Sequence, residues 1–324
     1  MRNTILLVGC GNIGSRHLQA LVKLPFKTDI KIVEPKKTAQ TIAKQRLSEI
    51  HYIKKNFNIF WYNDISELDS ASDLVILATT SENRIDLINK LLKLKNKRFL
   101  IEKIVCQSVS EYNLILQKLK KSKAMGWVNT NMRYSDSYKK IKTYFKNSNT
   151  IHVSLTTSAN YGLGTNAIHY LDFFSWLIND YHITLDGSLL TNKLFPNKRS
   201  KDLVEFAGLL FGSNQNGSTV TINFIPNSNL PLILNIYGNN IKHLLVNEST
   251  EEVYNIIHKE PKFDFIFEHT SNLTTKIVVD IFRKNKCDLT TVEDSYYLHK
   301  ELLTILSKHM EKLIRKPIKK CPIT

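Results

Sequence analysis

The stretch "NTILLVGCGNIGSRHLQAL", beginning at Asn3, sets the tightest limit on what this chain can become. An unbroken apolar run ends in Gly9, Gly11 and Gly14, and helical spacing takes over at once. That order describes a buried strand, a tight turn and a helix from about Asn12 to Leu24. The first glycine serves the turn, the second admits a pyrophosphate to the backbone, and the third lets helix and strand pack closely. The helix start, with Asn12 and Ile13 in its first turn, offers N–H groups and a positive dipole end to phosphates. Glu34 closes the second strand 20 positions after Gly14. A carboxylate there is placed to accept hydrogen bonds from adenosine ribose hydroxyls. It repels a 2′-phosphate and so favours NAD, while Lys36 and Lys37 beside it leave NADP open.

The rest of the first third keeps the same alternation. "DIKIVEP", "DLVILATT", "RFLIEKI" and "MGWVNTN" read as strands, with helices over Arg84–Leu94 and Glu111–Lys121 between the later ones. Strands joined by helices mean crossovers and a parallel, doubly wound sheet. From Ile151 the pattern changes. "LVEFAGLLF", "STVTINFI", "LPLILNIYG" and "IKHLLVNE" are strand-like runs separated by turn residues, as in "NQNGS" and "PNSN". Runs joined by such turns describe an antiparallel sheet. Helices around Thr270–Arg283 and Val292–Lys312 end the chain. The expected fold is therefore α/β. Residues 1–127 are expected to form an NAD(P)-binding Rossmann domain, and residues 128–324 a second α/β domain.

Composition narrows the function classes. The formal net charge is +16, but the lysines are dispersed and no basic arm or zinc-finger spacing accompanies them. Nucleic acid is thus not expected, and the charge suits an anionic substrate or cofactor. No apolar run approaches the ~20 residues of a membrane span. The apolar stretch before Cys10 begins only at Ile5, short of a signal h-region of roughly 7–15 residues. A cytoplasmic protein is the expectation. Four cysteines (Cys10, Cys106, Cys287, Cys321) lie far apart with no CxxC pair, so reduced thiols and no metal site are expected.

Two further features carry chemistry. Glu102-Lys103 stands at the carboxyl end of a buried strand, where open parallel sheets bind ligands. Lys103 there can polarise a substrate hydroxyl or, if desolvated, take its proton. "GLGTNAIHYLDFFSWL" has helical spacing and two faces. Ala167, Ile168, Leu171, Phe174 and Ile178 form an apolar stripe. Thr165, His169, Asp172 and Trp176 form the opposite one, which is expected to face a substrate. Asn166, Tyr170 and Phe173 lie between them.

These segments together resemble the glucose–fructose oxidoreductase / inositol dehydrogenase / rhizopine-catabolism (Gfo/Idh/MocA) family. The matching stretches are "LLVGCGNIGSRHLQAL", "LVILATTSENRIDLINKLL", "IEKI", "NTNMRY" and "GTNAIHYLDFFSWL", in order along nearly the whole chain. The resemblance implies a Rossmann domain followed by an α/β domain with an open-faced, mostly antiparallel sheet. It implies Lys103, His169 and Asp172 as catalytic residues, with Asn131 and Arg133 near nicotinamide and substrate. Thr79, Glu102 and Lys103 join the cofactor contacts, and Thr165 and Asn166 the substrate contacts. A substrate hydroxyl would lose its proton to His169 or Lys103 as its carbon gives hydride to the nicotinamide. Asp172 would orient the imidazole. The implied activity is NAD(P)-dependent oxidation or reduction at a CH–OH carbon. The substrate would be a sugar or nucleotide-linked sugar, such as an activated sugar of bacterial surface polysaccharides. A homodimer or homotetramer is implied as well. Two positions depart from the family: Ile104 replaces the signature proline, and Thr165 replaces the usual aspartate four residues before the histidine. They motivate the alternative, a catalytically inactive dinucleotide-binding regulator or scaffold.

Overall fold

The computed structural model describes residues 2–50, 56–239 and 241–324. Its contacts divide the chain into two compact units. The first comprises Met1–Cys106, Ser110–Tyr134 and Glu268–Val292; the second comprises Gln107–Val109, Ser135–Phe267 and Glu293–Thr324.

The first unit is built on a parallel sheet of six strands. These are β1 (Asn3–Val8), β2 (Thr28–Val33), β3 (Phe57–Tyr62), β4 (Leu74–Leu77), β5 (Arg98–Ile101) and β6 (Met125–Val128). Helices α1 (Asn12–Leu21), α2 (Lys37–Ser48), α3 (Arg84–Lys93) and α4 (Val109–Lys121) make the crossovers. The spatial order is β3-β2-β1-β4-β5-β6, with Ile5 paired to both Ile30 and Leu74. β1 and β4 therefore flank the point where strand order reverses, and ligands bind outside the strand ends at such a point. The sheet is the doubly wound type that the alternation of strands and helices predicts. β3 was not expected from the sequence. As an edge strand it alternates between half-buried and exposed residues, so "FNIFWY" lacks the continuous apolar run of its neighbours. Leu18 and Leu21 of α1 share a core with Leu273, Ile277, Val278 and Ile281 of a late helix, α7 (Thr270–Lys284).

The second unit carries helices α5 (Asp136–Phe145), α6 (Leu163–Ile178) and α8 (Val292–Ile314) and ten strands. They run β7 (Ile151–Ser158), β8 (Thr184–Leu190), β9 (Phe195–Pro196), β10 (Val204–Glu205), β11 (Gly208–Ser213), β12 (Thr219–Ile225) and β13 (Ile233–Gly238). β14 (Lys242–Asn247), β15 (Glu252–Asn255) and β16 (Glu260–Asp264) complete the set. Eight of them form one sheet in the order β16-β15-β14-β13-β7-β12-β11-β8, antiparallel except where β7 and β12 run parallel. Residues alternate along most of the central strands. Val153, Leu155, Val220, Ile222, Leu234 and Ile236 are buried, whereas His152, Ser154, Thr221 and Asn235 are half-buried on the other face. α6 packs against β7 and β12.

The run "LVEFAGLLF" is not one strand, contrary to the sequence reading. Gly208 has φ +99°, and a Cβ there would lie 2.6 Å from the Leu189 carbonyl oxygen. The kink separates β10, which pairs with β9 in a ribbon of two strands, from β11 in the large sheet. Glu205 is thereby carried out of the large sheet.

Candidate functional site

The glycine loop is a cradle shaped by the absence of side chains. Gly9 has φ +85°, and its Cβ would crowd the Thr79 backbone nitrogen at 3.0 Å. A Cβ on Gly14 would lie 2.0 Å from the Gly9 carbonyl oxygen, so only glycine fits. Around Gly11, by contrast, nothing lies within 4 Å of the Cβ position, and the residue is exposed. Gly11 is also the N-cap of α1, where no side chain caps the helix. Asn12 is exposed and Ile13 half-buried in the first turn. An open helix start beside a residue without a side chain suits an anion.

Glu34 reaches this loop from the end of β2. Its Oε2 accepts the Cys10 N–H at 2.7 Å and its Oε1 the Lys36 N–H at 3.0 Å. Burial, reinforced by the Glu34 charge, pushes the Cys10 thiol up to about 12. That cysteine is an inert wall, not a nucleophile. Arg46 of α2 donates to the Asn12 carbonyl at 3.0 Å and to the Asn12 side-chain oxygen at 3.2 Å, fixing the helix start from the side. Glycines, open N-terminus and ribose-height carboxylate all fit a dinucleotide.

Glu102 and Lys103 follow β5 and are both buried. Glu102 is the centre of a network that sequence reasoning missed. His17 of α1, fully buried, donates from Nε2 to Glu102 Oε1 at 2.9 Å, and its Nδ1 lies 2.9 Å from the Thr274 hydroxyl on α7. The Asn129 amide donates to the same Oε1. Burial alone drives the Glu102 carboxyl up. The His17 hydrogen bond and charge, the Asn129 amide and the Lys103 ammonium outweigh it and hold the group at about 2. Because the folded-state value lies below the ordinary 4.5, this carboxylate stabilises the fold above pH 4.5. That stabilisation is lost as pH falls toward 2. The stability gap between the native protein and Glu102→Gln, measured by thermal unfolding, should therefore shrink through that window. A gap that stays constant down to acid would contradict a depressed Glu102.

Arg84 is the second residue that sequence reasoning missed. It opens α3, is buried, and turns its guanidinium inward onto main-chain carbonyls. Nη1 donates to Glu102 O and, at 2.6 Å, to Ile104 O, while Nη2 donates to Thr79 O. A planar fork with five N–H donors suits such a cluster of acceptors. The carbonyls on either side of Lys103 are thus held by one side chain. The Lys103–Ile104 peptide is cis although no proline is present. Thr79 is half-buried at the end of β4, its hydroxyl donating to Thr80 O at 3.1 Å. On the short turn Asn131–Tyr134, Asn131 donates to the Thr270 hydroxyl at 3.3 Å, and Arg133 is buried. Gly9, Gly11, Glu34, Thr79, Glu102 and Lys103 fall at the carboxyl ends of β1, β2, β4 and β5, or in the turns that follow, and Gly14 in the first turn of α1.

In the second unit, α6 buries more than the sequence reading expected. Ala167, Ile168, Leu171 and Phe174 are in the core, but Thr165 and Asp172 on the opposite stripe are buried too. His169 and Trp176 are half-buried. The stripe is therefore not an open face, because β10 covers its first turn. The Thr165 hydroxyl donates to Glu205 Oε1, and the Asn166 amide donates to Tyr161 O.

Residues 3–130 match the model of the oxidoreductase family GFO_IDH_MocA, described as an NAD-binding Rossmann fold. Over those residues the chain is similar to that family's NAD-binding domain. Solved structures extend the likeness over both units. The WlbA dehydrogenase from Bordetella pertussis, crystallised with NADH and UDP-GlcNAcA, superimposes with a TM-score of 0.69. It is 15% identical, with 96% of each chain covered. The UDP-N-acetylglucosamine 3-dehydrogenase GnnA from Acidithiobacillus ferrooxidans gives 0.69 at 10% identity, over 94% of this chain and 97% of that one. The MviM dehydrogenase from Clostridium difficile gives 0.67 at 16% identity, over 97% and 99%. At such identities the likeness establishes the fold. No curated protein sequence gives a significant match. Among the described residues, no helix is long and apolar enough to cross a membrane.

Proposed function

We propose that this chain is a sugar oxidoreductase of the Gfo/Idh/MocA type, acting at a CH–OH carbon of a nucleotide-linked sugar of surface-polysaccharide biosynthesis. The observation that carries the reading is the cradle: a loop closed to any side chain at Gly14 and open at Gly11, with Glu34 beside it. Two of the structural relatives, WlbA and GnnA, are described with UDP-sugars, which supports the substrate class. The +16 charge suits an acidic, phosphate-bearing substrate.

When bound, NAD(P) supplies the hydride acceptor or donor. The chain does the rest. Residues 1–127 hold the cofactor, with Gly9, Gly11, Asn12, Ile13 and Gly14 at the phosphates and Glu34 at the ribose. Glu34 favours NAD over NADP. Lys103, its flanking carbonyls held by Arg84, stabilises negative charge growing on the substrate oxygen. His169 accepts or returns the hydroxyl proton, with Asp172 and Thr165 on its helix face. Asn131, Arg133 and Asn166 contact the substrate. Residues 128–324 supply the substrate contacts and a homodimer or homotetramer interface.

The test is a cofactor-fluorescence titration of the full chain with NADH and NADPH, followed by a panel of free and UDP-linked sugars with NAD+ or NADP+ and of their keto forms with NADH or NADPH. Tight NADH binding with reduced or oxidised sugar as product is expected. Binding without redox change across the panel would favour a dinucleotide-binding regulator instead.

A further inference from the structure

Glu205 is a buried carboxylate that the mechanism above does not use. Its position is built with some care. Oε1 accepts from the Thr165 hydroxyl and, at 2.8 Å, from the Asn197 amide; Oε2 accepts from the Thr165 N–H at 3.2 Å. Two glycines clear the space for it. A Cβ on Gly162 would lie 2.5 Å from Glu205 Cδ, and one on Gly164 would lie 3.1 Å from Oε2. α6 has no acidic residue in its first turn and no side-chain cap at Gly162. The carboxylate that satisfies the start of this helix therefore arrives from β10, 40 positions further along the chain.

We propose that Glu205 is a positioning residue for His169, delivering through Thr165 the negative charge that α6 lacks before its histidine. Thr165 and His169 are four residues apart, so they are neighbours on one helix face, with Cβ atoms roughly 5–6 Å apart. Helical side chains lean toward the N-terminus, a tendency that would bring the His169 imidazole toward the turn that Glu205 binds. A carboxylate one hydrogen bond beyond Thr165 favours the imidazolium formed when His169 takes a substrate proton. The inference rests on the assignment of His169 as the proton carrier. Other charged and titratable groups on the elements around this turn include Tyr161, Tyr170 and Asp172 on or beside α6, Lys198, Arg199 and Asp202 between β9 and β10, His309 on α8, and Cys321. Arg199 is bonded to Thr324 O at 3.1 Å and His309 to Thr191 O at 2.9 Å, while burial pushes the Cys321 thiol up to about 12.

The experiment is an NMR titration of the full chain labelled with 15N-histidine, the His169 signal being assigned by its loss in His169→Asn. Glu205→Gln keeps the shape and removes the charge. It should lower the His169 titration midpoint by about half a unit or more. Adding Thr165→Asp to that variant returns a carboxylate to the same turn and should bring the midpoint back to the native value or above. A folded Glu205→Gln with an unchanged midpoint would overturn the proposal and leave Glu205 a helix cap only. Should Glu205→Gln alone fail to fold, the double variant decides, since it restores a donor–acceptor pair at that point. A midpoint at or above native supports the proposal, and one below native overturns it. The readout needs no substrate. A failed sugar panel would therefore strike the sugar reading and leave this result standing, whereas an unchanged midpoint beside intact turnover would remove Glu205 alone.

Discussion

Gly14→Ala should lose NADH binding by about 100-fold or more, with a stability loss of about 1–3 kcal/mol. The added Cβ would meet the Gly9 carbonyl oxygen at 2.0 Å, and neither partner is a flexible side-chain end. The loop must open, and the distance between Gly9 and the start of α1 must grow. That displaces the N–H groups on which a pyrophosphate would sit. Gly11→Ala provides the contrast. Nothing stands within 4 Å of its Cβ position and its φ is −71°, so thermal stability should hardly move. Its affinity for NADH should still drop, because the cofactor needs that space. Isothermal titration with NADH and thermal unfolding of both variants check the pair. Equal cofactor affinity in native protein and Gly14→Ala would contradict the cradle.

Lys103→Ala and His169→Ala should each lower kcat by roughly 10²–10⁴-fold with cofactor affinity little changed for His169→Ala. His169 is half-buried on α6, whereas Ala167, Ile168, Leu171 and Phe174 hold the helix in the core, so its loss should spare the structure. Lys103 is buried at the end of β5, and its ammonium helps to hold Glu102 ionised. Lys103→Ala should therefore also raise the Glu102 carboxyl, moving acid unfolding to higher pH. His169→Ala should leave acid unfolding unmoved at that group. Near-native turnover in both variants would remove the proton-transfer assignment.

Much of the fold was legible because its signals are local. The glycine spacing, the apolar runs of β1, β2, β4 and β5, and the two-fold alternation of the later strands each speak within a few residues. β3 was missed because an edge strand buries only part of each side chain. The site was legible where a residue acts by lacking a side chain or by standing at a strand end, as Gly14 and Lys103 do. It was not legible where function depends on a distant partner. Nothing near Glu102 in sequence reveals His17, 85 positions earlier, or Thr274 beyond it. Arg84 reads as a surface charge at a helix start, and only the fold turns it onto the carbonyls around Lys103. Glu205 was hidden inside an apparently continuous strand until Gly208 broke it. One signal for it does exist in the sequence. Gly162 takes a positive φ at the start of α6, but Gly164 lies inside the helix, where no turn calls for a glycine, which says that something packs there closely.

The central claim is that this chain moves hydride between a nicotinamide and a sugar carbon. The most direct measurement is label transfer: NADH deuterated at C4 is incubated with the protein and a panel of oxidised UDP-linked sugars, and the products are weighed by mass spectrometry. Deuterium on a sugar carbon, absent when Lys103→Ala/His169→Ala replaces the native protein, is the predicted result. Tight NADH binding with no label in any sugar would contradict it.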